Sequence, residues 1–336
     1  MKNYIVTAFL LLMMSISAFA QEFTKEDLRE TSIQTVKLFQ QKKYDEALPL
    51  AEKSVLIAKQ IYGEKNIETV NVLKNLGYVQ LYKSDTDEAG KTFDKAFDIY
   101  QDLENLSAND KTSAADIAET VASIKSQKDL KSTEKYYKRA MIWREEGEGV
   151  DSPKSLTPLI GLANINYWKK NYKQSAEFYE RAIKIGAENS DAENTNFLAV
   201  YLRGECAFKK AGKSDEFEKI KENFSVSFPT PTGSNATKDP QVAFAITSGV
   251  VNGKALNLVA PAYPAEAKYA RATGAVKVKV LINEQGNVIS ACGVNDAHSS
   301  LIEASETAAY NSKFQPTSLK GKPVKVTGII IYNFTR

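Results

Sequence analysis

One histidine, His298, and two cysteines, Cys206 and Cys292, are the only imidazole and thiol groups in 336 residues. His298 lies just after Asp296, at the start of a helix expected from the spacing of Leu301, Ile302, Ser305, Ala308, Ala309 and Ser312, with Asp296 as its cap. That setting suits a surface or capping residue better than a general base. A zinc site needs several His or Cys ligands at close spacing, and a Cys-His pair needs both groups together; neither pattern is present. There is no phosphate-cradling P-loop and no dinucleotide glycine fingerprint. Carboxylates are plentiful, but at helical spacing they read as solvated faces. The inventory therefore points to a protein without cofactor or metal that is not an enzyme. The two cysteines fall in separate apolar patterns and are expected to be unpaired buried thiols. The other possibility, a bridge between them, would tie two parts of the chain together.

Composition bounds the rest. With 43% hydrophobic and 25% charged residues, a chain of this length supports two or three domains with buried cores. The net charge of +3 is no footprint for nucleic acid. From Gln241 onward there are ten Lys and Arg against five Asp and Glu, a net of +5. A solvated, lysine-bearing strand face accounts for this; an acidic peptide or a membrane surface is the other reading. Residues 1–20 read as a secretory signal peptide: Lys2, an apolar run from Tyr4 to Ile16, and Ala18-Phe19-Ala20 before Gln21. A periplasmic location follows if it is cleaved, and an inner-membrane anchor facing the periplasm if it is not.

Between Thr24 and Phe224 the pattern is helical almost throughout, and it repeats. Small–aromatic–small triplets recur about 42 residues apart. They are Ala89, Phe93 and Ala96; Thr133, Tyr137 and Ala140; and Ser175, Tyr179 and Ala182. Ala47, Ala51 and Ser54 precede them, and Glu216, Ile220 and Asn223 form a weaker fifth copy. Each has a mate in the preceding helix, such as Leu76-Gly77 and Arg203-Gly204. This resembles the tetratricopeptide repeat in a 42-residue form. The resemblance implies about five stacked helix pairs over residues 24–224, folding on their own, with inner helices lining a peptide-binding groove. Asn71, Lys74, Tyr78, Asn164, Tyr167, Tyr201 and Glu205 would face it.

Residues 225–240, rich in Pro, Thr, Gly and Ser from Phe228 to Thr237, read as a linker. Asn252-Gly253 between two apolar runs then predicts a hairpin. The remainder of residues 241–336 reads as helix, strand, strand, helix, strand. A helix over Ala265–Thr273 stops at Gly274. Val276, Val278, Val280 and Ile282 alternate with Lys277 and Lys279, Asn283–Asn287 turns the chain, and Val324–Phe334 closes it. The ordered signposts Tyr263-Pro264, Gly274, Gly286, Phe314, Pro316 and Gly321 resemble the TonB C-terminal domain. The fold expected is thus a tetratricopeptide solenoid followed by a small α+β TonB C-terminal-like domain.

What that resemblance implies is an adaptor that binds proteins or peptides. Its C-terminal domain would take the periplasmic segment of a TonB-dependent outer-membrane receptor as an added strand, supporting transport. The closing strand is the expected edge, with Val324, Lys325, Val326, Thr327, Ile329, Ile330 and Ile331 as partner-binding residues and a homodimer as the competing occupant. A TonB energy transducer resembles a tether, with a histidine-bearing membrane helix and a long proline-rich spacer. This chain has no His before His298 and a repeat array where the spacer would be. The alternatives are an envelope assembly scaffold whose repeat array recruits a partner, or a membrane-anchored TonB-like energy transducer if the N-terminus is uncleaved.

Overall fold

The computed structural model describes residues 22–125, 129–189, 195–224, 246–319 and 321–335. The signal-peptide and linker readings lie outside the described residues. The chain divides into two compact units, residues 1–143 and 144–336, the break falling within a repeat helix.

In the first unit, α1 (Lys25–Gln40), α2 (Tyr44–Tyr62), α3 (Ile67–Tyr82), α4 (Thr86–Asp102) and α5 (Ala108–Lys125) follow one another, and α6 begins at Leu130. Their starts are set by side chains. Thr24 and Asp27 close a reciprocal capping box on α1, and Asn66 accepts from the Glu68 amide at the head of α3. The triplets face inward as their spacing requires: Ala47, Ala89, Phe93, Ala96 and Ala140 are fully buried. Gly77 is where α3 meets α4; a Cβ there would lie 2.7 Å from the Phe93 ring. Consecutive repeats are also bridged by polar groups. The Tyr136 hydroxyl donates to Asp94 at 2.7 Å and Lys125 donates to the same carboxylate at 2.6 Å. Burial, then the Asp94 bond, pushes the Tyr136 phenol up to about 12.

The second unit opens with the last turn of α6, which ends at Glu148, then α7 (Leu156–Trp168), α8 (Tyr172–Asn189), α9 (Thr195–Lys210) and α10 (Ser214–Phe224). Ser175, Tyr179 and Ala182 are buried as in the earlier copies. In the fifth copy only Ile220 of its triplet is buried; Phe217 takes the core position beside it, while Glu216 and Asn223 are exposed.

A backbone signature marks the same period. Lys42, Ser84, Lys170 and Gly212 all have positive φ, and after each the chain closes a Schellman motif, with the next residue's amide donating back into the helix: Lys43 to Leu38, Asp85 to Gln80, Asn171 to Asn166, Lys213 to Phe208.

The C-terminal module belongs to this second unit. Its main sheet has the order β1 (Ile246–Val250), β8 (Val326–Phe334), β3 (Gly274–Ile282), β4 (Val288–Gly293), with β1 parallel to β8 and the other pairs antiparallel. Val276, Val278, Val280, Ile282, Ile330 and Phe334 are buried on one face, and Leu301, Ala308 and Ala309 of α12 (Ser299–Tyr310) join them in one core. Two short ribbons complete it, β2 (Ala255–Asn257) with β5 (Lys313–Phe314) and β6 (Thr317–Leu319) with β7 (Lys322–Val324).

Several local expectations change. The Asn252-Gly253 hairpin does not form. Neither residue takes the positive φ that a two-residue turn of that type requires, β1 pairs with β8, and β2 pairs with β5. The first helix of the module, α11 (Ala265–Tyr269), is shorter than expected, because Arg271 turns into the left-handed region before Gly274 opens β3. The cap of α12 is His298 and not Asp296; the His298 ring lies 2.9 Å from the Ser300 hydroxyl. Cys206 and Cys292 are joined in a disulfide, with Cα atoms 5.8 Å apart, so the expectation of unpaired thiols is corrected. Each lay in an apolar pattern because each is buried, on α9 and on β4, and that burial brings the two sulfurs together.

Candidate functional site

A sheet recruits a partner strand through main-chain groups that point out of its edge, so the two edges of the main sheet are where the chemistry of recognition has to be. Along β8 the even-numbered residues pair with β3, as Ile330 does with Val278, and their side chains fill the core. The odd-numbered residues point their amides and carbonyls outward. The Ile329 carbonyl accepts from the Val251 amide at 2.9 Å, and Ile331 meets the side chain of Asn252.

That alternation divides the residues predicted for this edge. Thr327, Ile329 and Ile331 have outward main-chain groups, whereas Val326 and Ile330 are turned inward. Val324 belongs to β7, paired with Thr317. Lys325 lies between the strands, buried, with its ammonium 2.9 Å from Glu284. Burial pushes the Glu284 carboxyl up, but the Lys325 hydrogen bond, a backbone hydrogen bond and the Lys325 charge together outweigh it and hold the group below its usual range.

The β8 edge is partly occupied. β1 runs parallel to it with Ile246 opposite Val326, Thr247 opposite Thr327 and, after a register break, Val250 opposite Ile329. Val251 follows, its side chain seated over Gly328, where a Cβ would fall 2.4 Å from Val251 Cγ1. Asn252 then takes the place of a strand residue: its Nδ2 donates to the Ile331 carbonyl at 2.7 Å and its Oδ1 accepts from the Ile331 amide at 2.9 Å. Beyond it Asn333 is exposed.

The opposite edge, β4, is covered by helix. The Arg203 guanidinium on α9 donates through Nε to the Ile289 carbonyl at 3.0 Å and again through Nη2, and its Nη1 reaches Asn164 Oδ1 at 3.2 Å. Lys209 donates to the Gly293 carbonyl at 3.3 Å, and Glu306 of α12 accepts from the Gly293 amide at 2.8 Å. Lys210 neutralises that glutamate at 2.7 Å, and the disulfide lies in the same seam.

The predicted groove residues separate accordingly. Tyr167 and Glu205 meet the chain's own C-terminal module, while Asn164 is held within the repeats by the Tyr179 hydroxyl and Arg203. The Tyr167 hydroxyl is 3.1 Å from Cys206 Sγ and 3.5 Å from Glu306, and Glu205 pairs with Lys279 of β3 at 3.1 Å. Burial, then the Glu306 charge, pushes the Tyr167 phenol well above its usual value. Tyr201 packs inside its repeat, its ring 5.0 Å from that of Phe217. In the first unit, Asn71, Lys74 and Tyr78 lie along α3, half-buried; Lys74 donates to Ser113 at 3.2 Å and the Tyr78 ring rests 5.1 Å from Phe93.

The signpost residues are held to one another. The Phe314 amide donates to the Gly286 carbonyl at 2.9 Å, and Pro316 packs beside Gly286. The Tyr263 ring lies 5.5 Å from Phe334 and its hydroxyl donates to Ala272. Gly274 and Gly321 both have positive φ, and Pro264 is the cap of α11.

Residues 259–335 match the family described as Gram-negative bacterial TonB protein C-terminal, and residues 38–102 match the tetratricopeptide repeat family. The chain carries a TonB C-terminal domain behind tetratricopeptide repeats. Both are families of non-catalytic modules that bind other proteins. No curated protein matches the chain. Among solved structures, a Podosopora anserina protein of nearly identical TPR-like repeats is 15% identical, with a TM-score of 0.45, covering 60% of this chain and 96% of its own. BtubC from P. vanneervenii is 15% identical with a TM-score of 0.44, covering 63% and 86%. MamA is 16% identical with a TM-score of 0.42, covering 63% and 100%. A TonB C-terminal domain suggests a Gram-negative envelope protein. Among the described residues no helix is long and apolar enough to cross a membrane.

Sequence reasoning did not identify Asn252 as an edge cap, nor Arg203 and Glu306 as the polar seam on β4. Asn252-Gly253 carries a stronger turn signal than an edge-capping one. Cys206, Cys292 and Glu306 have ligand-type atoms within 4.8 Å of one another, but the sulfurs are bonded to each other and the carboxylate is held by Lys210 and the Gly293 amide, chemistry that does not suit a cation.

Proposed function

We propose that this protein is a periplasmic, non-enzymatic adaptor of the TonB family, exported by residues 1–20. It supports TonB-dependent outer-membrane transport by taking an extended receptor segment as an added strand along β8. The observation that carries this reading is the asymmetry of the two sheet edges. β4 is closed by α9 through the Arg203 and Lys209 hydrogen bonds and a disulfide, with Glu306 of α12 on the Gly293 amide, whereas among the described residues β8 is flanked by a short strand, whose pairing breaks register before Ile329, and by Asn252. The half of the repeat array in the first unit, with Asn71, Lys74 and Tyr78, is left for a second protein partner.

The test is to titrate the full-length protein with synthetic peptides from the periplasmic segments of outer-membrane receptors and to map contacts by cysteine trapping at position 333. Binding should place the peptide beside Asn333 and be weakened by Asn333→Pro, which removes an outward amide at an edge position that tolerates proline. Peptides that bind without trapping at 333, and equally well to the proline variant, would overturn the β8 reading. Self-association lost in that variant would instead assign the edge to a second copy of the chain.

A further inference from the structure

We propose that Ile246–Asn252 is a resident strand that holds the recognition edge of β8 shut, and that a partner segment must displace it before pairing along Thr327–Ile331. The proposal rests on the strand-addition reading and adds to it a built-in competitor and the chemistry that the incoming segment must supply.

The closure is made of two parts of different strength. β1 itself is a weak strand: its centre is Thr247-Ser248-Gly249, its pairing with β8 shifts register between Thr247 and Val250, and among the described residues no strand covers its far side. Val250 is 57% exposed and adds little burial. The anchor is the pair that follows. Val251 is buried over Gly328, and the absence of a Cβ at residue 328 is what makes room for it, since one would lie 2.4 Å from Val251 Cγ1 and 3.3 Å from the Gly249 carbonyl. Asn252 satisfies both outward groups of Ile331 with one carboxamide. A side-chain amide that saturates a strand residue in this way is a substitute for a neighbouring strand, and it ends where the real strand would continue toward Asn333.

A competing segment has to offer the same things. It needs main-chain groups for Thr327 and Ile329, a β-branched apolar side chain over Gly328, and at the next position either a carboxamide or its own backbone for Ile331. Because such a segment binds only the opened form, its apparent affinity is reduced by the fraction of molecules in which residues 246–252 have left.

The probe is a labelled synthetic peptide of this chain's own residues 246–252, added to full-length protein. Two variants open the edge from opposite sides. Val251→Ala with Asn252→Ala removes the anchor, and Gly328→Ala expels Val251 while leaving residues 246–252 intact. Circular dichroism and a thermal melt establish that each is folded. In the double variant the Ile331 amide should exchange faster than in the parent, and the peptide should bind at least about tenfold more tightly and restore its protection, as expected if the open form is a minor species in the parent. In Gly328→Ala the Ile331 amide should also be exposed, but the peptide should gain little, because its valine meets the same Cβ. Unchanged protection of Ile331 in both variants, or an exposed Ile331 that the peptide fails to protect in the double variant, would overturn the proposal. The failure modes separate. Receptor peptides that bind parent and double variant equally, and trap at Asn333, leave the function standing and sink the closure. A double variant that rebinds its own strand but no receptor peptide leaves the closure standing and sinks the function.

Discussion

Gly286 shows how one residue carries a whole signpost. It sits at φ +79°, and a Cβ there would lie 1.9 Å from the Phe314 carbonyl oxygen. Positive φ and close backbone approach both demand glycine at this position, and the β3–β4 turn and the strand after α12 are held together through it. Asn283 completes the turn, its Oδ1 accepting from the Gln285 amide at 3.1 Å and the Asn287 amide at 2.8 Å. Gly286→Ala should therefore destabilise the C-terminal module by roughly 2–4 kcal/mol, the sum of left-handed strain and a forced backbone shift. Urea denaturation followed by tryptophan-independent circular dichroism measures it, and a loss below about 1 kcal/mol would mean the turn relaxes freely. Gly286, Phe314 and Pro316 were legible as punctuation in the sequence, but their mutual contact was not, because nothing in local spacing says which turn meets which strand. The same holds for Asn252, whose hydrogen-bond partner is 79 residues away.

At the scale of elements, the repeats were the most legible part of the chain. Small and aromatic residues recur at one period, and from Ala47 to Ala182 the structure buries all of them except Tyr137, which is half-buried beside a buried Tyr136. The fifth copy was misaligned in detail, since a terminal helix with fewer neighbours buries Phe217 and Ile220 and leaves the rest to solvent. The backbone of the repeats adds what composition concealed. Lys42, Ser84 and Lys170 hold left-handed conformations at positions where the last copy has Gly212, and β-carbon strain there costs on the order of 1 kcal/mol per residue. Ser84→Gly, at φ 71°, should raise the stability of the first unit by about 0.5–1 kcal/mol, less any entropy the glycine adds to the unfolded chain. The rise is read from the chemical-denaturation midpoint; a fall would show that the Ser84 side chain contributes more than its backbone costs. Where sequence and structure part company in the C-terminal module, the reason is long-range pairing. A parallel strand joined by 75 or so residues of chain leaves no turn to announce it, and the two apolar runs around Asn252-Gly253 satisfy a local hairpin pattern while each prefers a distant partner.

For the molecule as a whole, the boundary between repeats and C-terminal module is not a boundary of packing. Residues 144–336 form one compact unit; α9, which the sequence assigned to a peptide groove, holds β4 of the same chain, and Tyr167 of α7 reaches Glu306 of α12. Arg203 treats the Ile289 carbonyl as a groove would treat a bound peptide backbone, so in this half of the array the bound strand is intramolecular. Cutting the chain after Phe224 would strip α9 of that partner, which alters the expectation that residues 24–224 fold alone. The disulfide is the covalent part of this arrangement. Cys206 and Cys292 are 86 residues apart, and closing a loop of that size limits the unfolded chain by about 4.6 kcal/mol in the loop-entropy account. Cys206→Ser combined with Cys292→Ser should lower the stability of the second unit by about 3–4 kcal/mol, measured by guanidinium denaturation against the oxidised parent. The Arg203 and Lys210–Glu306 contacts do not depend on the sulfurs, so the Gly293 amide should remain slow to exchange in the folded variant. If Gly293 instead exchanges freely while the far-ultraviolet spectrum is unchanged, the disulfide alone holds α9 against β4, and the β4 edge becomes a second site for strand addition whenever the bond is reduced.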